Sequence, residues 1–89
     1  MKGIKSILLK NLPNNEDVFT SNLEDIIIND IEYILWSIRR EGKTIWIEME
    51  DNSPFGKSMQ GRYYINYVDI NPLLYPYIID RFIINNNLK

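Results

Sequence analysis

Sixteen isoleucines and not one alanine in 89 residues restrict this chain more than any single motif does. Isoleucine is branched at Cβ and stiff at χ1, which lowers its helix preference and suits it to a pleated surface. Six tyrosines, three phenylalanines and two tryptophans push the same way. β-Branched and aromatic side chains must therefore fill the core, and local preference tilts towards strands. Residues 1–89 are enough for a single domain with one modest core, and the 45% hydrophobic and 25% charged shares fit a soluble globule.

The missing residue types exclude whole classes of chemistry. With no Cys and no His there is no disulfide, no thiolate nucleophile, no imidazole base and no zinc site of the usual Cys/His kind. Residues 1–12 carry Lys2, Lys5 and Lys10 among apolar runs too broken for a signal-peptide core. No apolar run approaches the roughly 18 residues of a membrane span. A cytoplasmic protein without membrane contact, cofactor or bound metal is the expectation. The net charge of −2 is unevenly spread: Glu16, Asp17, Glu24, Asp25, Asp30 and Glu32 fall in residues 11–38, which hold no Lys or Arg. The ordinary reading of such a run is a solvated face; the functional one is a surface that attracts a basic partner.

Partial alternation in residues 4–9, IKSILL, predicts a first strand, and NLPNNED (11–17) is turn chemistry. Residues 22–50 support two readings. Ser21 and Glu24 form a capping box for a helix reaching Glu41, with Leu23, Ile27, Ile28, Ile31, Ile34, Leu35 and Ile38 along one face and Gly42 beyond its end. Alternatively, a hairpin turns at Glu41-Gly42 and pairs Ile38 with Ile45, Trp36 with Ile47 and Ile34 with Met49. Leu35, Ser37, Arg39, Thr44, Trp46, Glu48 and Glu50 then share the other face. The three consecutive isoleucines, the tyrosine and the tryptophan favour the hairpin, with helix confined to about residues 15–29. In either reading residues 44–50 are a strand.

GRYYINYVDI (61–70) reads as a strand with Tyr63, Ile65 and Tyr67 on one side and Arg62, Tyr64 and Asn66 on the other. Asn71-Pro72 is an N-cap followed by proline, and Tyr75, Ile78, Ile79, Phe82 and Ile83 make a helical stripe ended by residues 85–87. Pro76 either kinks that helix or marks its start. The expected fold is α+β: a small antiparallel sheet of three to four strands with a C-terminal helix and one further helix packed on it.

Several chemistries can be tested against spacing. Gly56-Lys57-Ser58 resembles the tail of a phosphate loop, but the position five residues before Gly56 is Asp51, whose carboxylate repels a phosphate and lacks glycine's backbone freedom. Asp30 with Glu41-Gly42-Lys43 has the spacing of a metal-dependent nuclease, yet the latter three sit at a turn or cap. Glu48 and Glu50 stand about 7 Å apart by strand rise, in the range of acid/base pairs, although alternate glutamates on an outer strand face are ordinary solvation. Single-stranded nucleic-acid binding would rest on Arg62, Tyr64 and Lys57, against a net negative charge. An enzyme is not expected, and nucleic acid is disfavoured.

What remains is the expected outer sheet face with Leu35, Trp46 and Tyr64 among Arg39, Arg62, Glu48 and Glu50, adjoined by a long loop carrying Asp51, Phe55 and Lys57. Trp, Tyr and Arg are the favoured anchors of protein interfaces, and long loops on rigid sheets often bind. The expectation is a small non-enzymatic protein-binding module acting as an inhibitor, of the immunity-protein, antitoxin or phage-antagonist kind, docked on a larger and basic protein such as a toxin or nuclease. Its partner-binding residues would be Trp46, Glu48, Glu50, Asp51, Phe55, Lys57, Arg62 and Tyr64. A self-associating structural subunit, a homodimer in its simplest form, is the second reading.

Overall fold

The computed structural model describes residues 3–87, so Lys2 of the basic N-terminal stretch lies outside the described residues. In chain order it contains α1 (Ile4–Asn11), β1 (Asp17–Phe19), β2 (Ile26–Ile28), β3 (Ile31–Glu41), β4 (Thr44–Asp51), α2 (Pro54–Ser58) and β5 (Tyr63–Asn66). Two 3-10 turns, Tyr67–Asp69 and Pro72–Leu74, lead into a C-terminal helix over residues 75–87. The strands form one antiparallel sheet ordered β1-β3-β4-β5, with β2 pairing further along the same edge of β3 as β1. This is the expected α+β arrangement, with five strands in the sheet. No helix among the described residues is long and apolar enough to cross a membrane.

The central hairpin takes its register from Gly42. Only Gly42 and Lys43 separate Glu41 from its partner Thr44. Gly42 adopts φ 63°, and Lys43 is not among the residues of positive φ. Glycine at the first central position is the II′ pattern, whose twist matches that of the flanking strands. The turn therefore sits one residue later than expected, and Ile38 faces Ile47 rather than Ile45.

The register shifts again between Leu35 and Ser37: Leu35 faces Met49 and Ser37 faces Glu48, so Trp36 is an extra residue in β3. A bulge of this kind sets two side chains against one. Its effect is that Leu35 and Ile38, three positions apart, are both fully buried. Leu35 thus belongs to the core and not to the outer face, and Trp36 and Ile34 leave the core side assigned to them by strict alternation.

The first third of the chain differs from expectation. Residues 4–9 are helix, because Ile4, Leu8 and the following Leu12 repeat at four-residue intervals and all three are buried. Arg40 holds the end of α1 by donating to the carbonyls of Leu9 and Leu12, where a cation also meets the negative end of the helix. No helix forms over residues 15–29, nor over 22–41. β1 and β2 occupy part of that span, and Asn29-Asp30 makes a two-residue turn with φ 52° and 66° that joins β2 to β3 as a second tight hairpin. Ile26 faces Tyr33 and is buried; Ile27, on the opposite side, is exposed.

One face of the sheet carries Tyr33, Leu35, Ile38, Ile45, Ile47 and Met49, and packs against Ile4 and Leu8 of α1 and Leu74, Ile78 and Phe82 near the C-terminus. Each fully buried side chain of this size stabilises the fold by about 1.5–3 kcal/mol. The Asn71 side chain accepts from the Leu73 amide as expected of a cap, and Pro76 falls in the first turn of the C-terminal helix, where no amide hydrogen is needed. Residues Ile79–Ile84 wind as a π turn. Asn86 Nδ2 donates to the carbonyls of Arg81 and Phe82 beside it. Arg81 is itself buried, and its guanidinium donates to the carbonyls of Asn22 and Glu24, pinning the connection between β1 and β2 to the helix.

The β4–β5 connection is more than the turn that its Asn, Ser, Pro and Gly content predicts. Ser53 accepts from the Gly56 amide and Pro54 follows it, so residues Pro54–Ser58 form one capped turn of helix. Gly56 is buried there without a positive φ. It is glycine because a methyl group built on it would overlap the carboxylate and the carbonyl of Asp51. Gly56→Ala should lower unfolding free energy by about 2–3 kcal/mol through forced displacement of α2, read as a lower urea midpoint at unchanged m-value.

Candidate functional site

Among the described residues no helix packs over the second face of the sheet. The register brings Asp17 beside Arg39, Arg39 beside Trp46, Trp46 beside Asn66, and Ser37 to Glu48 and Tyr64 in turn. Alternation along β4 and β5 therefore gathers Trp46, Glu48, Glu50 and Tyr64, with Arg62 just before β5. These are five of the eight partner-binding residues expected from sequence. Trp36, Ile34 and Phe19 join them; Phe19 is 62% exposed and Tyr64 60%. The sequence pattern hides Trp36 because the bulge reverses its side, and hides Phe19 and Asp17 because β1 reads as turn and helix.

The polar groups on this face are tied to one another. Trp36 Nε1 donates to Glu50 Oε1 at 2.8 Å, and Ser37 Oγ donates to Glu48 Oε1 at 3.0 Å. The Arg62 guanidinium lies 4.1 Å from the centre of the Trp36 ring and 3.9 Å from Glu48. Arg39 bridges Glu41 at 3.0 Å and Asp17 at 3.3 Å. The hydrogen bond to Glu41, then that to Asp17, raises the already high Arg39 pKa. Between these two clusters lies a shallow depression of ≈ 530 Å³ lined by Asp17, Arg39, Glu41, Trp46 and Tyr64. Carboxylates outnumber cations here: Asp17, Glu32, Glu41, Glu48 and Glu50 against Arg39 and Arg62. Both members of the Glu48/Glu50 pair are engaged by neighbours, and Asp30 stands at the opposite end of β3 from Glu41 and Lys43. Among the described residues no group of three or more acidic side chains converges to hold a metal ion.

Asp51, Phe55 and Lys57 do not join that face. The Asp51 carboxylate turns into the α2 junction, where it accepts from the Ser53 amide, the Ser53 hydroxyl and the Tyr63 hydroxyl. Phe55 packs edge-on against Tyr63, with ring centres 5.3 Å apart, and Lys57 is exposed on α2. Comparison with protein-family models, with curated proteins and with solved structures finds no match to this chain.

Burial, reinforced by the bond to Asp51, pushes the Tyr63 phenol well above its usual pKa of 10.0. Its neutral form is thus favoured by folding. The unfolded chain loses this proton first, so the contribution is whole below pH ~10 and declines as pH rises above it. Urea unfolding followed from pH 8 to pH 11.5 should show stability falling above pH ~10, with a shallower fall in Tyr63→Phe; equal slopes would remove Tyr63 as the cause.

Proposed function

We propose that this chain is a non-enzymatic inhibitor that docks its open sheet face on a larger, basic protein, in the manner of an immunity protein, an antitoxin or a phage-encoded antagonist. The observation that carries the reading is the sorting of side chains between the two faces. The helix-covered side is mostly aliphatic, with Tyr33 and Tyr63 buried among Leu, Ile and Met, while two tryptophans, a tyrosine, a phenylalanine and two arginines stand on the uncovered one. Trp, Tyr and Arg are the residues that dominate binding energy at protein interfaces. The excess of carboxylates would speed encounter with a positively charged target.

The lateral bonds support the same reading. Side chains already held by Glu48, Glu50 and Trp36 have less rotamer freedom to lose when a partner arrives. In this mechanism Trp46 and Tyr64 are the buried anchors, flanking the depression, and Asp17, Glu41 and Glu48 meet basic groups of the target. A compartment of action inside the cytoplasm belongs to the same proposal. Nucleic acid fits less well, since Lys57 does not join Arg62 and Tyr64 on the face.

A photoreactive benzophenone side chain at Tyr64 should yield a discrete adduct with one larger protein in extracts of the producing cell. The same group at Ile84, exposed on the C-terminal helix, should not. Trp46→Ala should lower the Tyr64 adduct at least tenfold with the circular dichroism spectrum unchanged, and stoichiometric addition of the chain should suppress the captured protein's activity. Adducts formed equally from both positions, or a captured partner whose activity is unaffected, would overturn the inhibitor; adducts only with the chain itself would favour a self-associating subunit.

A further inference from the structure

β5 ends the sheet: it pairs with β4 alone, and its other edge meets no strand among the described residues. Beside it, on the helix-covered side, Phe55 of α2, Ile65 of β5 and Asp69 of the following 3-10 turn line a mainly apolar hollow of ≈ 360 Å³. The same three residues border a second hollow of ≈ 220 Å³ that runs on to Tyr33, Met49 and Ile70. Together they form a groove that opens at the edge strand β5 and runs inward under β4 towards Tyr33 of β3. Phe55 is 55% exposed although it packs on Tyr63, so its ring offers a bare apolar wall. Asp69 is exposed, and among the described residues its carboxylate has no hydrogen-bond or ion-pair partner.

We propose that this groove takes an extended segment of a protein partner, which adds to β5 as a sixth strand. Main-chain pairing supplies the affinity of such contacts, and pockets for alternate side chains supply the selectivity. Side chains at positions i and i+2 of an added strand point to the same side. One enters between Phe55 and Ile65 and is apolar; the other reaches Asp69 and is basic. The four residues of β5 span about 13 Å. Edge-to-edge pairing with a second copy over that length falls well short of the roughly 1,000 Å² that a stable interface needs, whereas a short peptide needs no more. The inference is independent of the partner proposed for the open face.

The test is a titration of the isotopically labelled full chain with two blocked heptapeptides of alternating Thr, one carrying Val and Lys two positions apart, the other Val and Glu. With the Lys peptide, amide shifts should centre on residues 54–70 and amide exchange at Tyr64 and Asn66 should slow. The Lys peptide should bind about three- to fivefold tighter than the Glu peptide at low salt, the scale of one exposed ion pair. Asp69→Asn should erase that preference, and Phe55→Ala should weaken both peptides at least fivefold. Absence of shifts at millimolar peptide, shifts centred on the Trp36 and Trp46 indoles, or slowed exchange of β5 with chain concentration alone would each overturn the proposal. Because the peptides carry no folded surface, failure here leaves the crosslinking result at Tyr64 untouched, and the converse also holds.

Discussion

The extra residue in β3 is the constraint on which the remaining architecture depends. β3 is the longest of the five strands among the described residues, with β4 on one edge and β1 and β2 on the other. A regular β3 would present Leu35 and Ile38 to opposite faces, because side chains alternate. One of the two would then stand in solvent, and every residue beyond that point would be inverted relative to β4. Inserting Trp36 restores the phase, so the apolar residues on both halves of the strand reach one core. It also places a large aromatic on the open face, beside Arg62 and Glu50. The same irregularity thus completes the core and furnishes the exposed surface.

Legibility in the sequence followed how local each signal was. The C-terminal helix was readable because the Asn71 cap, the proline after it and the Tyr75–Phe82 stripe lie within a few turns of one another. The sides of Tyr63 and Tyr64 were readable from alternation over four residues. The register of β3 against β4 was not, since it depends on which of two adjacent residues glycine occupies in the turn, and on a bulge that no residue type announces. Ile26-Ile27-Ile28 has no period of its own, so its strand state is set by the turn at Asn29-Asp30, whose residues tolerate positive φ. Residues 4–9 do not announce α1, because six residues with two polar positions fit a strand and a helix equally; Leu12, one residue past the helix, completes the four-residue spacing. Within the candidate site, Trp46, Glu48 and Glu50 share a face in any register, since they alternate on one strand; the same alternation turns Asp51 to the other side, and Phe55 and Lys57 are set apart by a short helix that composition does not distinguish from a turn.

The two faces of the sheet answer to different requirements. On the covered side, close packing makes every methyl group count. On the open side, exposed ion pairs contribute only about 0–1 kcal/mol each, so the network among Arg39, Asp17, Glu41, Glu48 and Arg62 does little for the stability of the chain. Its orderliness is therefore not accounted for by folding, which is why that face, and not the better-packed one, invites a functional reading.

The clasp made by Arg81 differs in kind from the other charge contacts. Its acceptors are the main-chain carbonyls of Asn22 and Glu24, which neither protonate in acid nor exchange partners with salt as a carboxylate would. They also lie nearly sixty positions earlier in the chain, so the clasp ties together two segments that are remote in sequence. The connection between β1 and β2 is thereby fastened by a bond indifferent to acidity. The edge of the sheet that carries Asp17 and Phe19 keeps its position under conditions that would loosen the surface ion pairs beside it.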